Sequence, residues 1–214
     1  MARNSPGYPQ EVLFLLACTS ASDTGQAVDT APDTAPVEGP CPADMSQVGD
    51  GCISSWEVTI TDGVASAIAG VLPTVNVTWY DAVDACLAAD AHLCTVAEWQ
   101  EACGEGSFPW GEEPPAEEVC AAASPDGTTT WTELQPTGSL PDCRSPEGVY
   151  DQLGNAWEWA DPETAVDGTP VTAKLGGAFY AGGGSALCTA AAITDHPPDF
   201  EGTIGARCCR DARE

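Results

Sequence analysis

The amino-acid sequence predicts an α+β domain with little regular secondary structure and many disulfides. Three observations support this prediction: eleven cysteines without a CxxC pair, two short segments that begin like capped helices, and a long turn-rich stretch without periodicity. At 214 residues, the chain is long enough for one well-filled domain and a tail.

The charge of the chain limits its partners. Thirty-three Asp and Glu residues stand against six Lys and Arg residues, which gives a formal net charge of -27. Such a surface repels phosphate backbones and anionic lipid head groups, so we expect no nucleic-acid partner. A solvated acidic exterior is the ordinary interpretation, and a specific cation-binding role is the alternative.

The cysteines indicate an oxidising compartment. Zinc is the competing explanation, but the chain lacks CxxC pairs and has only two histidines, His92 and His196. Disulfides explain the cysteines better, and the odd count leaves one cysteine with a different role. That residue is Cys18, since Leu15 to Cys18 (LLAC) resembles the lipobox of bacterial lipoproteins.

Residues 1–18 are therefore predicted to be a lipoprotein signal peptide with Cys18 as the lipid-attachment residue. A misassigned start codon or a merely hydrophobic tail is the alternative, because the apolar run Val12–Ala17 is short and only Arg3 precedes it as a positive charge. The anchor would be the only contact with the membrane. The expected location is the bacterial cell envelope, as an outer-membrane lipoprotein that faces the periplasm or the cell surface, and Thr19 favours the outer membrane.

Residues 19–40 are predicted to be a disordered linker, because they are rich in Asp, Thr, Ala and Pro and contain no aromatic residue. The folded domain is predicted at residues 41–214. Its first part holds a small loop bounded by Cys41 and Cys52, followed by a strand at Trp56–Thr61 with β-branched residues.

Two helices are the clearest elements of the domain. Thr78 can cap the first helix, whose predicted apolar face comprises Trp79, Val83, Cys86 and Leu87. Thr95 and Glu98 form the capping box of the second helix, which continues with Trp99, Ala102 and Cys103. For Trp79 and Trp99 we favour core packing over ligand stacking.

The remainder of the chain contains few regular elements. A turn-rich stretch runs from Cys103 to Cys143, and proximity predicts that Cys120 and Cys143 close a loop within it. Strands are predicted at 174–179 and at 204–210. Between these regions, the stretch 148–160 (GVYDQLGNAWEWA) mixes two tryptophans with polar side chains of which Asp151, Asn155 and Glu158 can supply hard oxygen ligands.

Taken in order, the motifs resemble the sulfatase-modifying-factor family, which includes the formylglycine-generating enzymes. The matching blocks are VNVTWYDA (75–82), HLCTVAEW (92–99), FPWG (108–111), GVYDQLGNAWEW (148–159), LGGAF (175–179) and GARC (205–208). The resemblance covers roughly residues 41 to 210 and implies a C-type-lectin-like α+β fold. It also implies the pairs Cys86 with Cys208 and Cys103 with Cys188.

The local pairs Cys41 with Cys52 and Cys120 with Cys143 follow from proximity, which leaves Cys94 for Cys209. Because Cys208 and Cys209 are adjacent, an exchange of the partners of Cys86 and Cys94 stays open.

The chain departs from the family where the family's chemistry lies. Formylglycine-generating oxidases carry two redox-active cysteines between the Gly-Gly turn and the terminal strand, where they bind copper. Here 177–187 reads GAFYAGGGSAL and contains no cysteine, so copper is not expected. The related sulfoxide synthases need a histidine cluster that two histidines cannot provide, and neither histidine lies in the nucleophile-elbow context of a hydrolase.

The resemblance also implies a calcium site with Asp151 and Glu158 as side-chain ligands and the carbonyls of Gly154 and Ala156. The alternative is that both carboxylates are ordinary loop residues, and 120–123 offers no convincing counterpart of the family's second calcium site.

The preferred function is a non-catalytic binding or structural module with an unknown protein or glycan ligand. Whether the chain is an enzyme is left open, because an oxidase that uses Cys188, or Cys208 and Cys209, in a rearranged site is the alternative.

Overall fold

The computed structural model describes residues 39–113, 119–123, 128–129, 131–163, 165–166, 168–181, 183–192 and 197–213. Cys18, the predicted signal peptide and nearly all of the predicted linker lie outside these residues, as does His196. Within the described residues, no helix is both long and apolar enough to cross a membrane.

Short strands and two helices make up the regular structure, as the sequence predicts. In chain order, the elements are β1 Met45–Val48, β2 Gly51–Ser54, β3 Val58–Thr61, β4 Val64–Ala67, α1 Trp79–Ala88, β5 His92–Leu93, α2 Val96–Cys103, β6 Trp157–Ala160, β7 Ala165–Val166, β8 Thr169–Pro170, β9 Ala173–Leu175, a 3-10 helix Gly183–Ser185, β10 Ile204–Ala206 and β11 Cys208–Asp211. The prediction of an α+β domain is confirmed.

The strands form two main sheets and two hairpins. One sheet has the order β1-β2-β11-β5 and is antiparallel, and the other has the order β10-β6-β9 with β10 parallel to β6. The hairpins are β3-β4 and β7-β8. The β3-β4 turn consists of Asp62 and Gly63, both with positive φ, which is the backbone that an Asp-Gly hairpin turn requires.

Both helices begin with complete capping boxes. The Thr78 side chain accepts a hydrogen bond from the Asp81 N–H while Asp81 accepts from the Thr78 N–H, and Thr95 and Glu98 repeat this exchange. The two boxes satisfy backbone donors that would otherwise be unpaired at each helix start. Trp79 and Trp99 are both buried in the core, as predicted.

The predicted apolar face of α1 is only partly correct. Trp79 and Cys86 are buried, but Val83 is half-buried and Leu87 is 59% exposed. Ala82 and Ala85 are buried instead, because these small residues are on the side of the helix that packs against the neighbouring strands.

The predicted terminal strand 204–210 is two strands in different sheets. β10 pairs with β6, and β11 pairs with β2 and β5, so the chain changes sheets at Arg207. The hydrophobic pattern could not reveal this change, since residues 204–209 are buried throughout. The predicted strands at Trp56–Thr61 and 174–179 are shorter than expected and correspond to β3 and β9.

Candidate functional site

The motif 148–160 forms the buried centre of the domain. Every residue from Asp151 to Ala160 is buried, and β6 is its last segment. A tight turn precedes β6, with positive φ at Asp151, Gly154 and Asn155. A Cβ at Gly154 would collide with the backbone of Ala121, so only glycine fits at this close approach.

Glu158 is held by two buried donors. Its Oε1 accepts a hydrogen bond from Nη2 of Arg207 at 2.7 Å, and its Oε2 accepts from the indole Nε1 of Trp99 at 2.5 Å. Arg207 also donates to the carbonyl oxygens of Ser54 and Tyr150, at 2.8 Å and 2.7 Å. This ion pair therefore connects both main sheets to α2.

A second buried carboxylate, Glu57, supports the turn. Its Oε1 accepts from the Ala156 N–H at 3.0 Å, and its Oε2 accepts from Nδ2 of Asn155 at 2.6 Å. Asn155 in turn accepts a hydrogen bond from the Gln135 N–H. Asn155, which the sequence offered as an oxygen ligand, thus serves to fix the loop that precedes the motif.

Asp151 completes a group of three buried carboxylates with Glu57 and Glu158, which we call the acidic core cluster. Its Oδ2 accepts from the Gly138 N–H at 2.6 Å. Sequence reasoning found Asp151 and Glu158 but missed Glu57, because its partners lie almost a hundred residues away and the residues around it carry no unusual signal.

Negative charge exceeds positive charge in the acidic core cluster, since three carboxylates face one guanidinium. Burial is the main cause that raises the pKa of Glu57 well above its ordinary value, and the nearby charges of Asp151 and Glu158 raise it further. Burial likewise raises the pKa of Asp151 to about 6, with a smaller contribution from Glu158, although Gly138 and Arg207 act in the opposite direction. Protons or a cation must balance this excess at neutral pH.

The excess of negative charge favours the predicted calcium ion, but the positions of the predicted ligands do not. Both oxygens of Glu158 are already engaged by Arg207 and Trp99. Within the described residues, no three His, Cys, Asp or Glu side chains converge with the geometry of a metal site. A cation here would therefore depend on Asp151 and on backbone carbonyls such as those of Gly154 and Ala156.

All ten cysteines of the described residues are paired in disulfides. The pairs are Cys41–Cys52, Cys86–Cys208, Cys94–Cys209, Cys103–Cys188 and Cys120–Cys143. Two of these pairs are implied by the resemblance, two follow from proximity, and Cys94–Cys209 is the pair that is left over. The open exchange between the partners of Cys86 and Cys94 does not occur. Cys18 lies outside the described residues.

Small residues pack where the resemblance would place redox thiols. A Cβ added at Gly177 would lie 3.3 Å from the Cβ of Ala186 and 3.2 Å from the carbonyl oxygen of Ala181. Ala186 is buried, and the nearby Cys188 is bonded to Cys103. No thiol is available in the described part of this segment.

Comparison with known proteins identifies relatives of the chain. Residues 42–212 match the family described as the sulfatase-modifying factor enzyme 1-like domain. The chain is 30% identical over 164 residues to the formylglycine-generating enzyme of Bos taurus, which covers 65% of this chain and 44% of that protein. It is 28% identical over 154 residues to the inactive C-alpha-formylglycine-generating enzyme 2 of Mus musculus, with 66% and 50% covered. The chain thus spans about half the length of these curated relatives.

The fold is shared with solved structures. CarF superimposes with a TM-score of 0.57 at 23% sequence identity, over 75% of this chain and 86% of that one. The C-type-lectin-like fold implied by the motif blocks is therefore confirmed.

Proposed function

Because the chain belongs to the sulfatase-modifying factor enzyme 1-like domain family, we propose that it is a non-catalytic member that binds a protein or glycan partner. We place it in a bacterial cell envelope, attached to the outer membrane through a lipid on Cys18. The linker at residues 19–40 would hold the folded domain away from the membrane, because a Pro-rich chain is extended and semi-rigid.

The observation that carries this proposal is the state of the cysteines. Copper-dependent oxidation of a substrate thiol needs thiolates, since soft sulfur ligands hold Cu(I). The segment 177–187 has alanine and glycine in place of cysteine, and each of the ten cysteines after Cys18 has a disulfide partner. A family relative named as an inactive enzyme supports the view that this fold also occurs without catalysis.

The alternative is a formylglycine-generating oxidase with a rearranged site. It would need reduced Cys188, or reduced Cys208 and Cys209, and each of these residues is buried in a disulfide. Reduction of such a disulfide would remove a stabilising cross-link between distant parts of the domain, so we favour the non-catalytic function.

Thiol counting tests the proposal. The full chain is produced with Cys18→Ser, denatured without reductant and titrated with a thiol reagent, and a parallel native sample is titrated with Cu(I). We expect no titratable thiol and no stoichiometric copper. Two or more thiols together with bound copper would overturn the non-catalytic function and restore the oxidase.

The lipid anchor has a separate test. Wild-type chain expressed in a Gram-negative host is expected to partition into detergent and to carry a diacylglyceryl mass on Cys18. The Cys18→Ser variant should partition into the aqueous phase. Equal partitioning of the two proteins would contradict the anchor and leave the conclusion about catalysis untouched.

Calcium belongs to the same proposal as a structural ion. Asp151 and the carbonyls of Gly154 and Ala156 would hold it, and it would supply positive charge beside the acidic core cluster. Glu158 would not be a direct ligand, because Arg207 and Trp99 already engage both of its oxygens.

A further inference from the structure

A cleft of about 510 Å³ opens beside α1. Three apolar side chains on successive turns of the helix form one wall, namely Trp79, Val83 and Leu87. None of the described residues within 177–187 lines this α1 cleft, so it is distinct from that part of the segment where the family's chemistry lies.

Only the outer end of the helical wall, Leu87, is uncovered in the folded domain, whereas Trp79 is buried in the core and Val83 is half-buried against it. The core packs against Ala82, Ala85 and Cys86, whereas Leu87 is 59% exposed on the other side of the helix. Burial of exposed apolar area by a partner is favourable, because it removes that area from water. Leu87 and the open part of Val83 can therefore supply an apolar contact to a partner that enters the cleft.

The opposite side of the α1 cleft is acidic. Its carboxylates are those of Glu98, Asp161, Glu163 and Asp211, and none of the lysines and arginines in the described part of the chain lines it. His92 is the only basic side chain among the lining residues, and its Nε2 lies 2.9 Å from Oε1 of Glu98. One carboxylate therefore has an imidazole partner, and the other three add to the negative potential of the cleft.

Hydrogen bonds fix Asp161, one of the four carboxylates, in position. The backbone of Asp161 bonds to both neighbours of Thr95, through the Cys94 carbonyl at 2.9 Å and the Val96 N–H at 3.0 Å. The Asp161 side chain accepts a hydrogen bond from the Glu163 N–H at 2.7 Å. Asp161 is thus held by the start of α2, which reduces the ordering cost of binding at this carboxylate.

We propose that the α1 cleft binds a segment of a partner protein that presents a lysine or arginine next to an apolar side chain. The cation would face Asp161, Glu163 and Asp211, and the apolar side chain would cover Leu87 and Val83. The inference rests on the proposed function, since it identifies the partner class of a binding module. A glycan fits less well, because the single aromatic residue that lines the cleft, Trp79, is only 8% exposed and offers little ring face for stacking.

His92 gives the proposal a second observable consequence. The hydrogen bond to Glu98 raises the pKa of His92, with support from the charges of Asp211 and Asp161 and against the effect of burial. Arg210 and Asp90 lie close by and form a pair at 3.2 Å. Loss of the imidazolium charge leaves Glu98 unbalanced, so a cationic partner should bind more tightly as pH rises through this titration.

Fluorescence anisotropy with a labelled peptide tests the proposal on the full chain. The probe is the hexapeptide Gly-Leu-Lys-Gly-Leu-Lys, and the control peptides replace both lysines with glutamate or both leucines with glycine. We expect binding of the first peptide and at least tenfold weaker binding of each control. Absence of binding by the probe would overturn the proposal.

Matched variants separate the α1 cleft from general attraction to an acidic surface. Glu163→Gln with Asp211→Asn should weaken binding about tenfold, whereas Asp142→Asn with Glu147→Gln removes the same charge outside the cleft and should change it less than twofold. Leu87→Asn should weaken binding about fivefold and Leu72→Asn should not, although the two leucines are equally open at 59% and 56% exposure. His92→Gln should tighten binding about threefold.

Equal losses in the cleft variants and the remote variants would overturn the proposal in favour of diffuse charge attraction. Binding of a neutral oligosaccharide that Leu87→Asn weakens, without peptide binding, would do so in favour of a glycan. None of these variants alters a cysteine, so the thiol count of the proposed function is unaffected by either result.

Discussion

Arg207 shows how one residue can connect elements that are far apart in sequence. Its guanidinium bonds to Glu158 on β6, to the carbonyl of Ser54 on β2 and to the carbonyl of Tyr150. A planar group with five donors can make these contacts simultaneously, and a lysine ammonium cannot. The charge of Arg207 alone therefore does not explain its role.

Arg207→Lys tests this explanation. The variant keeps the charge but loses the bidentate contact with Glu158 and the two carbonyl contacts, so we expect a loss of about 3 kcal/mol in the free energy of unfolding. Urea denaturation with disulfides intact measures the loss. Arg210→Lys is the matched control, because Arg210 pairs with the exposed Asp90 and should lose less than about 0.5 kcal/mol. Equal losses would show that Arg207 acts as a charge only.

Asp151→Asn tests the charge excess of the acidic core cluster. The pKa of Asp151 in the folded domain, about 6, is above its value of 3.8 in the unfolded chain, so folding takes up a proton between these pH values. The stability contributed by the protonated form is full below about pH 4 and is lost as pH rises through about 6. Asparagine keeps an oxygen for the Gly138 N–H and removes the charge.

We therefore expect Asp151→Asn in the presence of chelator to be more stable than wild type at pH 7, by at most about 3 kcal/mol, and close to wild type at pH 4. Urea titrations at several pH values measure the difference. Asp142→Asn, an exposed substitution, should show no such pH dependence. A pH-independent difference for Asp151→Asn would contradict the raised pKa.

The two carboxylates of the motif could be found from sequence, but Glu57 could not. Asp151 and Glu158 lie in a single compact block whose resemblance to the family singled them out. Glu57 lies just before the short strand β3, where a polar residue usually faces water, and its burial becomes apparent only once Asn155 and Ala156 are placed against it. Contacts between distant segments leave no mark on local sequence patterns.

At the scale of elements, the helices were predictable and the sheets were not. Each capping box lies within four consecutive residues, so local sequence determines where the helices begin. The pairing of β11 with β2 joins segments about 150 residues apart. Its register determines which of Cys208 and Cys209 faces Cys86 and which faces Cys94. Adjacent side chains of a strand point to opposite faces, so Cys208 reaches Cys86 and Cys209 reaches Cys94.

Removal of single disulfides tests how much each cross-link between these elements contributes to the free energy of unfolding. Cys86 and Cys208 are 122 residues apart, and Cys41 and Cys52 are 11 apart. Chain entropy predicts a loss of about 5 kcal/mol for Cys86→Ala with Cys208→Ala and about 3 kcal/mol for Cys41→Ala with Cys52→Ala. Urea denaturation without reductant compares the two double variants. A larger loss from the short loop would show that local packing outweighs chain entropy.

The whole molecule carries far more negative charge than its core can explain. Most of the 33 acidic residues lie outside the acidic core cluster, and mutual repulsion among them opposes compaction. Any added cation will screen this repulsion and raise stability to some extent. A specific calcium effect must therefore be separated from screening, and charge composition alone could not predict which of the two dominates.

Thermal unfolding in calcium and in magnesium at equal ionic strength makes this separation. If calcium binds beside the acidic core cluster, a concentration of about 100 times its Kd adds about 2.7 kcal/mol and raises the melting temperature by roughly 5 °C or more beyond magnesium. Asp151→Asn should remove the calcium-specific increment and keep the screening that both ions share. This variant is preferable to Glu158→Ala, which would leave Arg207 buried without its partner and destabilise the domain for another reason. Identical melting temperatures in the two ions would remove calcium from the proposed function and leave protons as the balance for the buried carboxylates.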